Sequence, residues 1–378
     1  MRKKYIILIA LPVIFLSFLF AEDKGFTLEE AISTALKNNP DYLRAQKEIE
    51  ASQGRRLQLE ARPNPELIFS DEGLGGNSKK GEKEISLGIE QIIEFPGKRA
   101  LRQSIGKYGE EISLLELERL KLIISAQVEK AYFKASYSQK IVSSLESVLD
   151  ILKHYIDLAN ERYQIGQVPY LDLIRGRLEY FKVQNEQIEA KRDAKENLIS
   201  LTLIVGKDAP DPMTFLTELS FVPFTKTLSD LKEDMEKSPS LKILLMEQKL
   251  AETGLALSRK GQFPDLKIGF FYPSLRPSAW GVEFGLEIPL FLKKQKGEIL
   301  EAKALNSMST VSLEAKKKRI QPQIERAYSD LKALEEQVKL FESSFQAEVE
   351  DALDAGIANY QYGKIDSLSL LDLYRSYK

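Results

Sequence analysis

The 378-residue chain contains no cysteine, one histidine and one tryptophan. Without cysteine there is no disulfide, no thiolate metal site, no cysteine nucleophile and no N-terminal lipid on cysteine. A single histidine, His154, excludes a histidine-based metal centre within one chain; it reads as an ordinary surface residue of a coiled coil. Charge of one sign is lacking too: 54 Lys+Arg stand against 56 Asp+Glu, so no basic field recruits nucleic acid. No nucleophile–base triad, phosphate loop or zinc signature occurs, so no catalytic residue, cofactor or metal site is assigned and the chain is not read as an enzyme. Beyond the first 20 residues there is no apolar run long enough for a transmembrane helix. If this chain spans a membrane, it must do so with β-strands.

The N-terminus has the form of a secretory signal. Arg2, Lys3 and Lys4 precede an apolar run from Tyr5 to Phe20, and Ala21 is a plausible last residue before cleavage. The run is about 16 residues, short of the roughly 20 that a membrane anchor needs. Residues 1–21 are therefore expected to be a signal peptide, and the remainder to be exported with a net charge near −5.

What the chain does contain is a repetition. Tyr163-Gln164-Ile165-Gly166 recurs as Tyr360-Gln361-Tyr362-Gly363, and Glu129, Ala131 and Tyr132 recur as Glu325, Ala327 and Tyr328. Gly88-Ile89-Glu90 recurs as Gly285-Leu286-Glu287, Pro40 as Pro239, and Pro65 as Pro264. A duplicated unit is expected at 22–205 and 226–378, with 206–225, containing Pro210, Pro212 and Pro223, as the linker. By the repeat offset Lys378 corresponds to Phe181, so the last helix of the second unit is expected to be short or truncated.

Within the first unit, Thr27-Leu28-Glu29-Glu30 reads as a capping box that opens a short helix to about Lys37. A second helix runs from about Asp41 to Arg62, where Pro63 and Pro65 end it. Leu67-Ile68-Phe69 and Glu84–Glu90 read as strands, the latter alternating with period two, and residues 71–77 supply turn chemistry between them. From Lys98 to Tyr163 there is no proline and the apolar period is helical; at about 1.5 Å per residue this is about 100 Å of helix. Helices of that length belong to coiled coils and stacked bundles. After Gly166 and Pro169 another helix runs from about Tyr170 to Val205, placed to stack end to end with the second helix beside the long one. The second unit is expected to replay this: a helix at about Ser240–Gln262, strands near Asp265–Tyr272 and Ala279–Ile288, a long helix at about Lys293–Tyr360 kinked at Pro322, and a last helix from about Ser367.

In the last strand, Trp280, Val282, Phe284, Leu286 and Ile288 share one face, and Gly281, Glu283, Gly285 and Glu287 the other. A soluble sandwich and a membrane barrel both produce this alternation. The strand length suits a bilayer crossing, and no other β-rich segment exists to pack the apolar face. Four strands cannot close a barrel and an open sheet cannot sit in lipid, so a membrane reading requires oligomerisation. Three protomers give twelve strands and enclose a lumen. The fold class is thus mainly α with a small β part: tandem helix–β-hairpin–long helix–helix units, assembling as a trimeric 12-stranded β-barrel continued by a coiled-coil α-barrel.

The stretches TLEEAISTALKNNP (27–40), EFPGKR (94–99), IPLFLKKQKGEI (288–299), RYQIGQVPYLDL (162–173) and NYQYGKIDSLSLLDL (359–373) resemble the TolC-like outer-membrane efflux proteins. The motifs at 94–99 and 288–299 are most similar to the cobalt–zinc–cadmium efflux branch, although that branch often carries an N-terminal cysteine absent here. The resemblance implies a homotrimeric exit duct across outer-membrane lipid and periplasm, partnered by a periplasmic adaptor and an inner-membrane pump and passing metal cations, drugs or peptides. It places Tyr163, Gly166, Gln167, Tyr360, Gly363 and Lys364 at tips that touch the adaptor, and Asp172 and Asp372 at the tunnel entrance. Glu90, Glu283 and Glu287 are expected in the barrel lumen, and Trp280, Val282, Phe284 and Leu286 against lipid. The rival readings are a periplasmic adaptor, which should carry one helical hairpin in a lipoyl-like domain rather than two tandem units, and a coiled-coil scaffold without a pore.

Overall fold

The computed structural model describes residues 26–72, 84–206, 214–273, 280–289, 292–341 and 343–377. The signal segment, most of the turn at 71–77 and the linker prolines Pro210 and Pro212 lie outside these residues.

Local chemistry sets each boundary of the first unit. The Thr27 hydroxyl accepts from Glu30 N while the Glu30 carboxylate accepts from Thr27 N, the reciprocal pair that opens α1 (Leu28–Asn38). Asn39 caps α2 (Pro40–Glu60), with Pro40 at the first helical position, where its missing N–H costs nothing. β1 (Glu66–Glu72) and β2 (Glu84–Ile93) pair antiparallel. Gly97, at φ 88°, turns the chain into the 67-residue α3 (Lys98–Gln164). Gly166 then reverses it into α4 (Tyr170–Val205).

The second unit is α5 (Leu228–Lys237), α6 (Pro239–Lys260), β3 (Asp265–Pro273), β4 (Gly281–Glu287), α7 (Leu292–Leu340), α8 (Ser343–Gln361) and α9 (Ser367–Tyr377). Two features differ from the sequence reading. α5 was not expected, yet it is the counterpart of α1: Thr227 and Asp230 form the same reciprocal cap that Thr27 and Glu30 form. The long helix of this unit is also in two pieces, ending at Leu340 and resuming at Ser343, whereas α7 continues through Pro322.

α3 is the spine. α2, α4 and α6 all pack along it, and α7 packs on α6 and α5. The described cores sit at two levels. One surrounds Tyr132, where Ala31 and Ala35 of α1 meet Val128 of α3 and Leu201 and Val205 of α4. The Tyr132 hydroxyl donates to Phe26 O at 2.6 Å and accepts from Thr217 N at 3.1 Å, which ties the chain start and the inter-unit segment to the spine. The other core lies near the helix-to-helix turns and joins Val148, Leu152 and Tyr155 of α3 to Leu370, Leu371 and Tyr374 of α9.

The two hairpins form one antiparallel sheet in the order β1-β2-β3-β4. Its base is where the 94–99 motif acts. Phe95 stacks on Phe263 with ring centroids 4.5 Å apart. Lys98 is buried and donates to Asp265 Oδ1 at 2.8 Å and to Phe263 O at 2.9 Å. Arg99 donates to Glu60 O and Arg102 to Leu59 O and Ala61 O, filling the open carbonyls at the end of α2. The motif therefore joins sheet to helices and the first unit to the second.

Candidate functional site: a sheet with a bare apolar face at one end of long helices

Because side chains alternate along a strand, the pairing register sorts the sheet into two faces. Leu67, Ile89, Phe270 and Val282 lie in one cross-strand row, and Phe69, Leu87 and Tyr272 in another. Phe284 and Leu286 continue this face, beside Ile268 and Leu266. Trp280 stacks on Phe270 at 6.0 Å. These side chains are exposed, Phe284 at 70% and Trp280 at 67%, and among the described residues no helix packs across them. The four residues expected against lipid thus share one uncovered apolar face.

The opposite face carries Glu66, Glu90, Gly269 and Glu283 in one row, with Lys267 and Glu287 on the same side. Lys267 Nζ lies 3.3 Å from the Glu90 carboxylate. Phe271 also lies on this face, over Gly281, where a β-carbon would overlap its ring. Within the described chain β1 and β4 each have one unpaired edge.

At the other end of the helices the two turns are built alike. Gly166 N donates to Tyr163 O at 2.9 Å and Gln167 N to Arg162 O at 2.9 Å; Gly363 N donates to Tyr360 O at 2.9 Å and Lys364 N to Asn359 O at 2.8 Å. Both glycines have φ 72°. This is the paired carbonyl closure of a left-handed helix stop, and it favours glycine sterically. Tyr163, Gln167 and Lys364 are exposed at these turns.

Tyr360 requires a correction. It was grouped with the exposed tip residues, but its side chain is 0% exposed. Its ring lies 5.3 Å from that of Tyr155 and 4.8 Å below the Arg162 guanidinium, while Arg162 Nη1 donates to Tyr360 O at 2.6 Å. Tyr155 in turn shares a hydrogen bond with the Ser367 hydroxyl. Burial pushes both phenols up, which keeps them neutral. The exposed apolar residues of the tips are instead Ile165 and Tyr362, at 67% and 77%. Their matched position, one residue before each glycine, was a readable signal.

Each of the two acidic residues expected at the tunnel entrance has an arginine three residues on. Asp172 is 3.4 Å from Arg175 and Asp372 is 3.2 Å from Arg375. Asp172 is buried, whereas Asp372 is exposed. Arg375 also reaches across to Glu179 of α4 at 3.2 Å. Sequence reading did not single out Glu179. Burial opposes its ionisation, but hydrogen bonds from Arg375 and Lys182 prevail and hold its carboxyl below the usual range. The α9-to-spine contact is completed by the Tyr374 hydroxyl donating to Val148 O at 2.8 Å.

The described chain thus sets a sheet with two unpaired edges and one bare apolar face at one end of long helices, and comparison with known proteins finds similar folds. Residues 31–207 match the outer membrane efflux protein family. The chain is 22% identical over 352 residues to the cobalt-zinc-cadmium resistance protein CzcC of Cupriavidus metallidurans, covering 93% of this chain and 83% of that protein. Its fold matches the outer membrane protein VceC of Vibrio cholerae at a TM-score of 0.73 with 16% identity, covering 93% and 89% of the two chains. It matches the outer-membrane channel OprN at a TM-score of 0.73 with 19% identity, covering 93% and 84%. Residues 31–207 are thus similar to an outer membrane efflux protein domain. The described chain as a whole has the fold of the TolC-like outer-membrane channels.

Proposed function

We propose that this protein is the outer-membrane exit duct of a tripartite efflux system, a homotrimer that passively conducts cargo delivered by an inner-membrane pump through a periplasmic adaptor. The observation that carries this reading is the isolated four-stranded sheet, whose apolar face has no protein cover and whose two edges are open. In water such a face is an aggregation surface; in a bilayer, closed by copies of itself, it has every backbone group paired and its apolar face in lipid. Three copies joined β4 to β1 supply twelve strands. Glu90, Glu283 and Glu287 then face the lumen, and Trp280, Val282, Phe284 and Leu286 face acyl chains.

In this assembly Ile165, Tyr362, Tyr163, Gln167 and Lys364 form the adaptor-facing tips. Asp172 and Asp372 stand just inside them at the entrance, each held by its own arginine. The link from Arg162 to Tyr360 and from Tyr155 to Ser367 fastens the first helical hairpin to the second, so it opposes widening of the entrance. The unit boundaries at 22–205 and 226–378 and the signal segment at 1–21 belong to this reading. CzcC is named for cobalt, zinc and cadmium resistance; among the described residues of this chain no three potential metal-binding side chains cluster.

The test is the mass of the full-length protein extracted from the outer-membrane fraction. A detergent-dependent trimer that forms conducting pores in planar bilayers is the expected result. A monomer, or protein released by high salt without detergent, overturns the reading.

A further inference from the structure

The basic run Lys316–Arg319 has no place in the barrel, the tips or the entrance. Its setting is a groove of about 560 Å³ between α3, α6 and α7. That volume is in the range of small-molecule sites, roughly 300–1,000 Å³. Arg119, Lys316 and Arg319 line it, and so do the apolar side chains of Ile243, Leu244 and Ala315. Arg119 is bound to Glu116 at 2.7 Å. Among the described residues, Lys316 and Arg319 make no ion pair.

The side of the helical layer on which this groove opens follows from α5. Lys317 pairs with Glu236 at 3.0 Å, Glu325 with Lys232 at 2.7 Å, and Glu335 accepts from Phe224 N at 2.6 Å. These contacts fix the face of α7 that α5 and the inter-unit segment cover. At about 100° per residue, Arg319 lies about 200° around the helix from Lys317, on the opposite face. In the proposed ring of three such layers, the face left clear by α5 and the inter-unit segment is the one available to line the tunnel, and the groove opens on that face. The groove's two carboxylates, Glu116 and Glu247, face three cations, Arg119, Lys316 and Arg319, which leaves it with a net positive field.

We infer that this groove is a binding station for amphipathic organic anions within the tunnel wall, with Lys316 and Arg319 holding the anionic group and Ile243, Leu244 and Ala315 the apolar body. The inference rests on the duct reading and deepens it by naming a cargo class. A bare metal cation is repelled by the same residues.

The experiment uses the full-length trimer in planar bilayers with 1,5-naphthalenedisulfonate as the probe and pyrophosphate as an anion without an apolar body. Naphthalenedisulfonate is expected to block the current. K316Q/R319Q should weaken the block roughly tenfold, the loss of two solvent-screened ion-pair contacts, while trimer mass stays unchanged. Leu244→Gln should weaken the block by naphthalenedisulfonate and leave that by pyrophosphate alone. Block that is unaltered in K316Q/R319Q overturns the site, and equal affinity for the two probes overturns its amphipathic character. Wild-type protein that neither trimerises nor conducts fails at the duct reading itself, and the inference falls with it.

Discussion

Asp265→Ala should loosen the junction between sheet and helices more than its partial exposure suggests. Asp265 Oδ1 accepts from Phe95 N at 2.6 Å and from Lys98 Nζ at 2.8 Å. The Lys98 and Asp265 side chains are only 11% and 25% exposed, so solvent screens the pair weakly. Bonds to a charged partner contribute about 1.5–3 kcal/mol each. Removing one member of a buried pair costs about 3–5 kcal/mol because it strands the other charge. Lys98 keeps its bond to Phe263 O, and water reaches the site once the carboxylate is gone, which places the expected loss near the lower end, about 3 kcal/mol. The double variant Lys98→Met/Asp265→Ala should recover about half of this, because no charge is then stranded although Phe95 N remains unpaired. Urea titration of the protein in detergent, followed by far-UV circular dichroism, measures both. A D265A protein within about 0.5 kcal/mol of wild type, or a double variant no more stable than D265A, would refute the assignment of this pair as the joint between the units.

Phe284→Arg puts a cation on the apolar face and should cost about 2–4 kcal/mol of barrel stability if that face meets the bilayer midplane; folding into vesicles with urea titration reads this, and a soluble, stable variant would contradict the lipid contact. Gly166→Ala meets no atom within 4 Å of the added β-carbon, so it should cost only the left-handed backbone strain, about 1–2 kcal/mol, visible as a small drop in Tm with trimer mass intact. Glu179 has a folded pKa below its unfolded value, so its pairing stabilises the protein above the usual carboxylate range and the contribution is lost as pH falls through the folded pKa. Glu179→Gln should therefore narrow the difference in Tm between neutral and strongly acid solution, and an unchanged difference would show that Arg375 does not depend on it. Arg162→Ala removes the bond to Tyr360 O and the cation over its ring, and single-channel recording should then show a higher conductance or open probability; an unchanged pore would place the barrier elsewhere.

The helices and strands were legible because their signals are local. The proline-free stretch after Pro96-Gly97 marked α3, and the period-two alternation marked β2. The partial exceptions have local causes as well. α5 opens with Asp230 rather than glutamate at the third position, so the cap of the second unit is a weaker copy of the first, and the proline-rich stretch before it drew the linker reading forward. The break after Leu340 has neither proline nor glycine at it, whereas Pro322, which breaks the hydrogen-bond ladder by its chemistry, lies within a helix that continues past it. α7 packs along α6 and against α5, and those tertiary contacts outweigh the loss of one backbone bond.

The sites were less legible because duplication preserves positions and not surroundings. Tyr163 and Tyr360 occupy the same place relative to their glycines, yet Tyr163 is 42% exposed and Tyr360 fully buried. The reason is the neighbour each hairpin meets. α8 turns its last residues onto α3, where Tyr155 and Arg162 enclose Tyr360; Tyr163 rests on Tyr170 of its own hairpin, with ring centroids 5.4 Å apart. The acidic residues diverge in the same way. The offset between units is 197 at the glycines and at the first residues of α4 and α9, but 200 at Asp172 and Asp372, so the turns are equally long and Asp372 lies three residues deeper in its helix. Each aspartate keeps its arginine three residues on, but Arg375 is also drawn across to Glu179. Equivalent sequence therefore yields one hairpin whose tip tyrosine is a surface group and one whose tip tyrosine is a fastening. A protomer built from two copies of one unit needs that asymmetry if its two hairpins are to hold different positions around one tunnel.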